Sequence, residues 1–147
     1  MNKYFECGIR YEKTLENGMQ KRVTELYLVD ALSFTEAEKR IIEEMTPFIS
    51  GEFEVKTIKQ ANYSELVLSD ETSADKYFKC KLTFILLDEK SGKEKKTSTN
   101  MLVQAASTED ATDKLNAALK QTMADYEITS VSETNIMDYY PYEAKED

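Results

Sequence analysis

Lys3-Tyr4-Phe5-Glu6-Cys7-Gly8-Ile9-Arg10-Tyr11 opens the chain, and Lys76-Tyr77-Phe78-Lys79-Cys80-Lys81-Leu82-Thr83-Phe84 returns it in the middle. In the first copy Phe5, Cys7, Ile9 and Tyr11 take every second position, and in the second Phe78, Cys80, Leu82 and Phe84 do. Period two with one apolar side is the pattern of a half-buried strand. The same signals then follow each copy in the same order. Asn17-Gly18 and Ser91-Gly92 mark hairpin turns, since Gly and Asn accept the positive φ that such turns demand. A second strand over about 21–32, with Tyr27, Val29 and Ala31 inward, has counterparts in Val103 and Ala105. Ser33 and Glu36 form a capping box that starts a helix, and Ser107 and Asp110 hold the same positions. The inner stripes of the two helices read Ala37, Ile41, Ile42, Met45 and Ala111, Leu115, Ala118, Leu119. A third strand returns with Phe53 and Val55 inward, and again with Tyr126 and Ile128.

The offset is 73 from Cys7 to Cys80, 74 from Gly18 to Gly92 and Ser33 to Ser107, and 73 again from Phe53 to Tyr126. A shared pentapeptide can arise by chance; preserved order, caps and strand parity point to duplication. The expected fold class is α+β, built from two duplicated β-β-α-β units. Antiparallel sheet or sheets carry two helices on the apolar face, related by a pseudo-twofold axis. Repeat one spans 3–68, with a short extra strand near Tyr63 to Leu68. A polar joint covers 69–75, repeat two 76–142 and an acidic tail 143–147, all within a single domain of 147 residues. Tyr139, Tyr140 and Tyr142 are expected to pack back on the body rather than form a docking peptide.

Several runs read together carry a resemblance: Tyr27-Leu28-Val29-Asp30-Ala31-Leu32-Ser33-Phe34-Thr35-Glu36-Ala37-Glu38, Pro47-Phe48-Ile49-Ser50-Gly51-Glu52-Phe53, Lys95-Lys96-Thr97-Ser98-Thr99-Asn100-Met101-Leu102-Val103 and Thr122-Met123-Ala124-Asp125-Tyr126-Glu127-Ile128. Their order, over nearly the whole chain, resembles the domain-of-unknown-function family numbered 4494 of gut Bacteroidetes and their phages or mobile elements. The resemblance implies a bacterial or phage cytoplasmic setting. It implies no activity, cofactor or catalytic residue.

Composition narrows the chemistry. The chain lacks histidine, so neither a Ser-His-Asp nor a Cys-His arrangement can be built from it, nor a zinc site with imidazole ligands. Its four glycines are scattered and form no phosphate loop. Cys7 and Cys80 lack metal spacing and are expected as buried free thiols in a reducing compartment. No apolar run approaches the roughly 18 residues of a membrane helix, and the N-terminus has no apolar signal core. A cytoplasmic location without membrane contact is expected.

Three surfaces are candidates. Tyr77, Lys79 and Lys81 on the central strand, Lys93, Lys95 and Lys96 on its hairpin, and Lys21 and Arg22 in the first repeat could track a phosphate backbone. The net charge of −9 and the absence of an RNA-recognition aromatic motif weigh against nucleic acid. Acids on the helices, Glu36, Glu38, Glu43, Glu44, Glu109, Asp110 and Asp113, could serve acid/base chemistry only by converging, and helix dipole and solvent already explain them. Glu54, Glu127, Asn62 and Asn135, shared by both copies, could face a seam between repeats. The expected function is a non-catalytic binding or accessory protein, not an enzyme, without cofactor or metal. It engages a protein or small ligand through its sheet face or seam, as a homodimer. The alternative is a nucleic-acid-binding accessory protein using the lysine-rich strand and hairpin.

Overall fold

The computed structural model describes residues 3–142. Its elements run β1 (Lys3–Thr14), β2 (Gln20–Ala31), α1 (Phe34–Met45), β3 (Phe53–Ala61), β4 (Glu65–Val67), β5 (Lys76–Leu87), β6 (Glu94–Ala105), α2 (Thr108–Ala118), β7 (Asp125–Glu133) and β8 (Ile136–Tyr140). The fold is α+β, with two helices and two four-stranded mixed sheets. The chain divides into two compact units. One holds the residues up to Ala61 with those from Asn135 onward, and the other spans Asn62–Thr134. No helix among the described residues is long and apolar enough to cross a membrane.

In the first unit the strand order is β3-β1-β2-β8. β1 is central because a hairpin pairs it with β2 over its whole length, Lys3 with Ala31 to Thr14 with Gln20. Gly18 makes the turn at φ +83°, where a side chain would be strained, and Asn17 Oδ1 accepts from Met19 N. α1 starts where Ser33 Oγ accepts from Glu36 N. Its Ala37, Ile41 and Met45 bury against Phe5, Cys7, Ile9, Val29 and Ala31. Complete burial of side chains the size of Phe5, Ile9 or Ile41 contributes about 1.5–3 kcal/mol each. The expected stripe is corrected at one place: Ile42 is 40% exposed, while Arg40 is buried. β3 returns antiparallel to β1 with a bulge that leaves Lys56 unpaired between Val55 and Thr57.

The second unit has the order β4-β6-β5-β7. β5 pairs with β6 from Lys76–Ala105 to Leu87–Glu94, and Phe78, Cys80, Leu82, Met101, Val103 and Ala105 pack against Ala111, Leu115 and Leu119 of the α2 segment. Ala118, expected inward, is exposed. Ser107 Oγ accepts from Asp110 N, and Asp110 Oδ2 accepts from Ala106 N, closing a reciprocal cap. β7 carries the bulge at Thr129, between its pairings to Lys81 and Leu82.

The expectation of antiparallel sheets holds for three strands in each. The fourth departs from it, since β8 lies parallel to β2 and β4 parallel to β6. Moreover, β4 falls in repeat one by sequence but pairs in the second unit, while β8 falls in repeat two but pairs in the first. Linear repeats and compact units are therefore different divisions of the chain. The acidic tail 143–147 lies outside the described residues.

At Gly8 an added Cβ would stand 2.5 Å from Thr57 Oγ1, on the side of the sheet away from α1. Gly8→Ala should therefore cost about 1–3 kcal/mol by overpacking, read as a lower urea midpoint. Adding Thr57→Ala should recover part of that loss. Strict additivity of the two changes would contradict the close approach.

Candidate functional site

Burial along β1 fades toward its hairpin. Ile9 is fully buried, Arg10 and Tyr11 are half-buried, and Glu12, Lys13 and Thr14 are exposed. β3 stops pairing at Tyr11–Phe53, so the last residues of β1 have no neighbour on that side. The α1–β3 loop, with Phe48, Ile49, Ser50, Gly51 and Glu52, faces this end and leaves an open groove of about 1020 Å³. Phe48 is 76% exposed. Arg10, Lys13 and Arg22 supply cations, Glu12, Glu52 and Glu54 carboxylates, and Tyr11, Phe48 and Phe53 aromatic walls. Arg10 and Glu54 form a loose pair at 3.9 Å, both solvent-accessible, so solvent screens it.

Beside Tyr11 and Lys13 of the groove, Glu25 is a shared acceptor. Tyr11 Oη donates to its Oε1 at 2.6 Å and Tyr27 Oη at 3.3 Å, while Lys13 Nζ stands 3.9 Å from Oε2. Tyr27 in turn packs on Tyr140, ring centroids 6.0 Å apart. Burial pushes Tyr11 up to about 12, assisted by the Glu25 hydrogen bond and charge. Burial also raises Tyr140 to about 12, assisted by Asp138 and Glu44, and lifts Tyr27 further. The two thiols behave alike: burial pushes Cys7 up to about 12 and Cys80 to about 11. Both stay protonated and inert at neutral pH. Among the described residues no cluster of three acidic or cysteine side chains could hold a metal ion.

The lysine-rich candidate is divided between the units. Lys79 and Lys81 are exposed on the face of β5 away from α2, opposite Leu102 and Asn100, and Lys96 shares that face opposite Ile85. Lys95, opposite Leu86, points to the other side, and Lys93 lies in the hairpin loop. Lys21 and Arg22 belong to the first unit on opposite sides of β2, and Arg22 lines the groove. Tyr77 is a correction. It is 5% exposed, so its ring offers no stacking platform. Gln104, its cross-strand neighbour, accepts from Ser69 N and donates to Ala74 O, which ties the 69–74 segment to that end of the strand.

Of the four shared polar residues, Glu54 and Asn135 belong to the first unit, and Asn62 and Glu127 to the second. Glu54 lines the groove, and Glu127 is exposed on β7 opposite Thr83. Asn62 and Asn135 are exposed where the chain passes from one unit to the other. Glu38, Glu43 and Glu109 are exposed on their helices, Glu36 is half-buried in the first turn of α1, Glu44 pairs with Arg40, and Asp110 with Lys114. Sequence reading missed Glu25, Phe48 and Arg40. Each had a signal: Glu25 shares the parity of Tyr27 and Val29, Phe48 is an aromatic between Pro47 and Gly51, and Arg40 lies three residues past Ala37.

Tyrosines whose pKa is raised on folding favour the neutral phenol. Their contribution is complete below the ordinary value of 10.0 and is lost as pH climbs through about 12. The melting temperature should then stay level to about pH 10 and fall steeply above it. Phenolate absorbance should rise later than in the unfolded chain. A phenolate titration matching that of the unfolded chain would contradict the Tyr11–Glu25 geometry.

No curated protein matches this chain. A family model described as a domain of unknown function, DUF4494, matches residues 3–142, and the chain belongs to that family.

Proposed function

We propose that the protein is a non-catalytic binding module that takes a protein segment or small ligand in the groove at the hairpin end of its first sheet. The observation that carries this reading is the groove itself: about 1020 Å³, with cations, carboxylates and aromatics converging where β1 runs on past the end of its pairing with β3. Concave sites of about this size are where ligands bind, and the charged lining of this one suits a polar or charged group. Supporting the non-catalytic reading, both thiols are buried and held protonated. The acids held below the ordinary range, Asp88 and Asp110, are accounted for by turn and cap partners: backbone and hydroxyl donors of Lys90 and Ser91 for the first, Lys114 and Ala106 N for the second.

The reading includes an internal duplication with one copy specialised. Favouring duplication are the matching caps at Ser33 and Ser107, the bulges at Lys56 and Thr129, and the full burial of Cys7, Cys80, Val29 and Val103. At the hairpin end the copies differ: Arg10, Glu12, Lys13 and Thr14 correspond to Thr83, Ile85, Leu86 and Leu87. Both hairpin ends carry charge, but only in the first copy does the central strand itself turn polar before its turn. The setting proposed is a phage or mobile element of gut Bacteroidetes, in the cytoplasm, on the strength of the four sequence runs given above.

A panel of short peptides and small metabolites, followed by NMR shift mapping, tests this. Saturable shifts should gather on Tyr11, Lys13, Phe48 and Glu52, and a Phe48→Ala, Arg22→Ala variant should lose them while staying folded. Shifts confined to Lys79, Lys81 and Lys96 with a single-stranded oligonucleotide at low salt would favour the second reading, nucleic-acid binding. That reading draws on the exposure of those three lysines on one side of the sheet, with Ser98, Asn100, Ser130 and Ser132 beside them.

A further inference from the structure

β8 completes the first sheet although no turn of that unit delivers it. It follows β7 of the second unit through Thr134 and Asn135, and pairs parallel to β2 from Leu26–Ile136 to Val29–Tyr140. Its anchors lie within six residues. Ile136 is 4% exposed. The Tyr139 ring meets Tyr4 edge-on at 6.3 Å, and its hydroxyl lies 3.5 Å from Asp30 Oδ2. Tyr140 packs on Tyr27. Arg40, buried on α1, donates from Nη2 to the Pro141 carbonyl at 3.0 Å, with Glu44 3.6 Å from the same nitrogen. A buried guanidinium is costly unless its donors are met, so this clamp is specific for a main-chain carbonyl at that place.

The receiving residues, Tyr4, Tyr27, Asp30 and Arg40, read only local features: an extended backbone, two tyrosine rings and one carbonyl. None distinguishes a strand of the same molecule from that of another. We propose that the β2 edge is a strand-accepting site open to the Ile136–Pro141 segment of a second copy. The protein then forms a homodimer in which each molecule's β8 completes its partner's first sheet. Exchange of an identical element is a low-cost route to a dimer, because the bonds a strand breaks in its own molecule form again in the other. A short linker holds a molecule's own segment at about millimolar effective concentration, so the exchanged form should grow with protein concentration.

The strand sits in the same slot in both forms, which gives an unusual expectation for Arg40→Met. An ordinary surface dimer loses affinity when an interface residue is removed. Here the monomer–dimer equilibrium should be unmoved, while subunit exchange speeds up about tenfold or more, since one charge-assisted bond fewer holds each strand.

The direct test mixes full-length chains carrying light and heavy nitrogen, all with Cys7→Ser, since Cys7 faces position 27 across the β1–β2 pair, and with Tyr27→Cys and Asp138→Cys, which stand opposite each other in the register. After concentration and oxidation, peptides linked through positions 27 and 138 are weighed. Pairs with one light and one heavy half establish exchange. Pairs of one label only overturn it. Should the triple variant not fold, native mass spectrometry of mixed wild-type chains serves instead. Mixed-mass dimers whose exchange is accelerated by Arg40→Met at constant affinity support the proposal. Monomer at every concentration, or a dimer whose affinity Arg40→Met lowers, refutes it.

Discussion

A strand lying parallel to its neighbour cannot be reached by a tight turn, because the chain must first travel back along the full length of the sheet. That constraint governs this protein. β2 hands the chain directly to α1, so no nearby residue is free to line its outer edge in the parallel sense. The strand that does so begins only at Ile136, and the edge of β6 is lined by Glu65–Val67 from the other side of the second hairpin. Each unit therefore combines a local part, hairpin, helix and returning strand, with a short strand brought from far along the sequence. The local part holds the core: Phe5, Ile9 and Ile41 in one, Phe78, Leu82 and Leu115 in the other. The distant strands add only three to five residues, and the first unit secures its own with the buried Ile136, two tyrosine rings and the Arg40 hydrogen bond.

Most of the local part was legible. Alternation located β1 and β5, each an inner strand of its sheet, and Ser33 and Ser107 located both helix starts. Tyr139 and Tyr140 pack on the body as expected. What was not legible is the parallel pairing. β4 and β8 are too short for periodicity to speak, and nothing in Glu65-Leu66-Val67 names its partner. Arg40 escaped because a charged residue on a helix is read as solvated until a specific carbonyl is found for it. Tyr77 was assigned to an open face by parity alone, which cannot foresee that Gln104 ties the 69–74 segment to that end of the strand.

The groove was equally out of reach, for a related reason. It exists because β3 stops at Phe53 while the β1–β2 hairpin continues, and because the loop after α1 turns Phe48 outward beside it. Arg10, Arg22 and Glu54 could be singled out from sequence only as polar strand residues. Their convergence depends on where pairing ends, and alternation does not report that. Glu25 shows the same limit, being a carboxylate at a core-parity position whose desolvation is offset by Tyr11 and Tyr27 hydroxyls.

The parallel edge pairing is the point on which unit composition, the Arg40 clamp and strand exchange all rest. Backbone nuclear Overhauser effects in isotope-labelled protein measure it most directly. The account predicts cross-strand effects linking Leu28 to Tyr139 and Leu66 to Leu102 in parallel register, with slowly exchanging amides at alternate residues of β8. Free exchange at every amide of β8, with cross-strand effects on β2 coming from β1 alone, would contradict it.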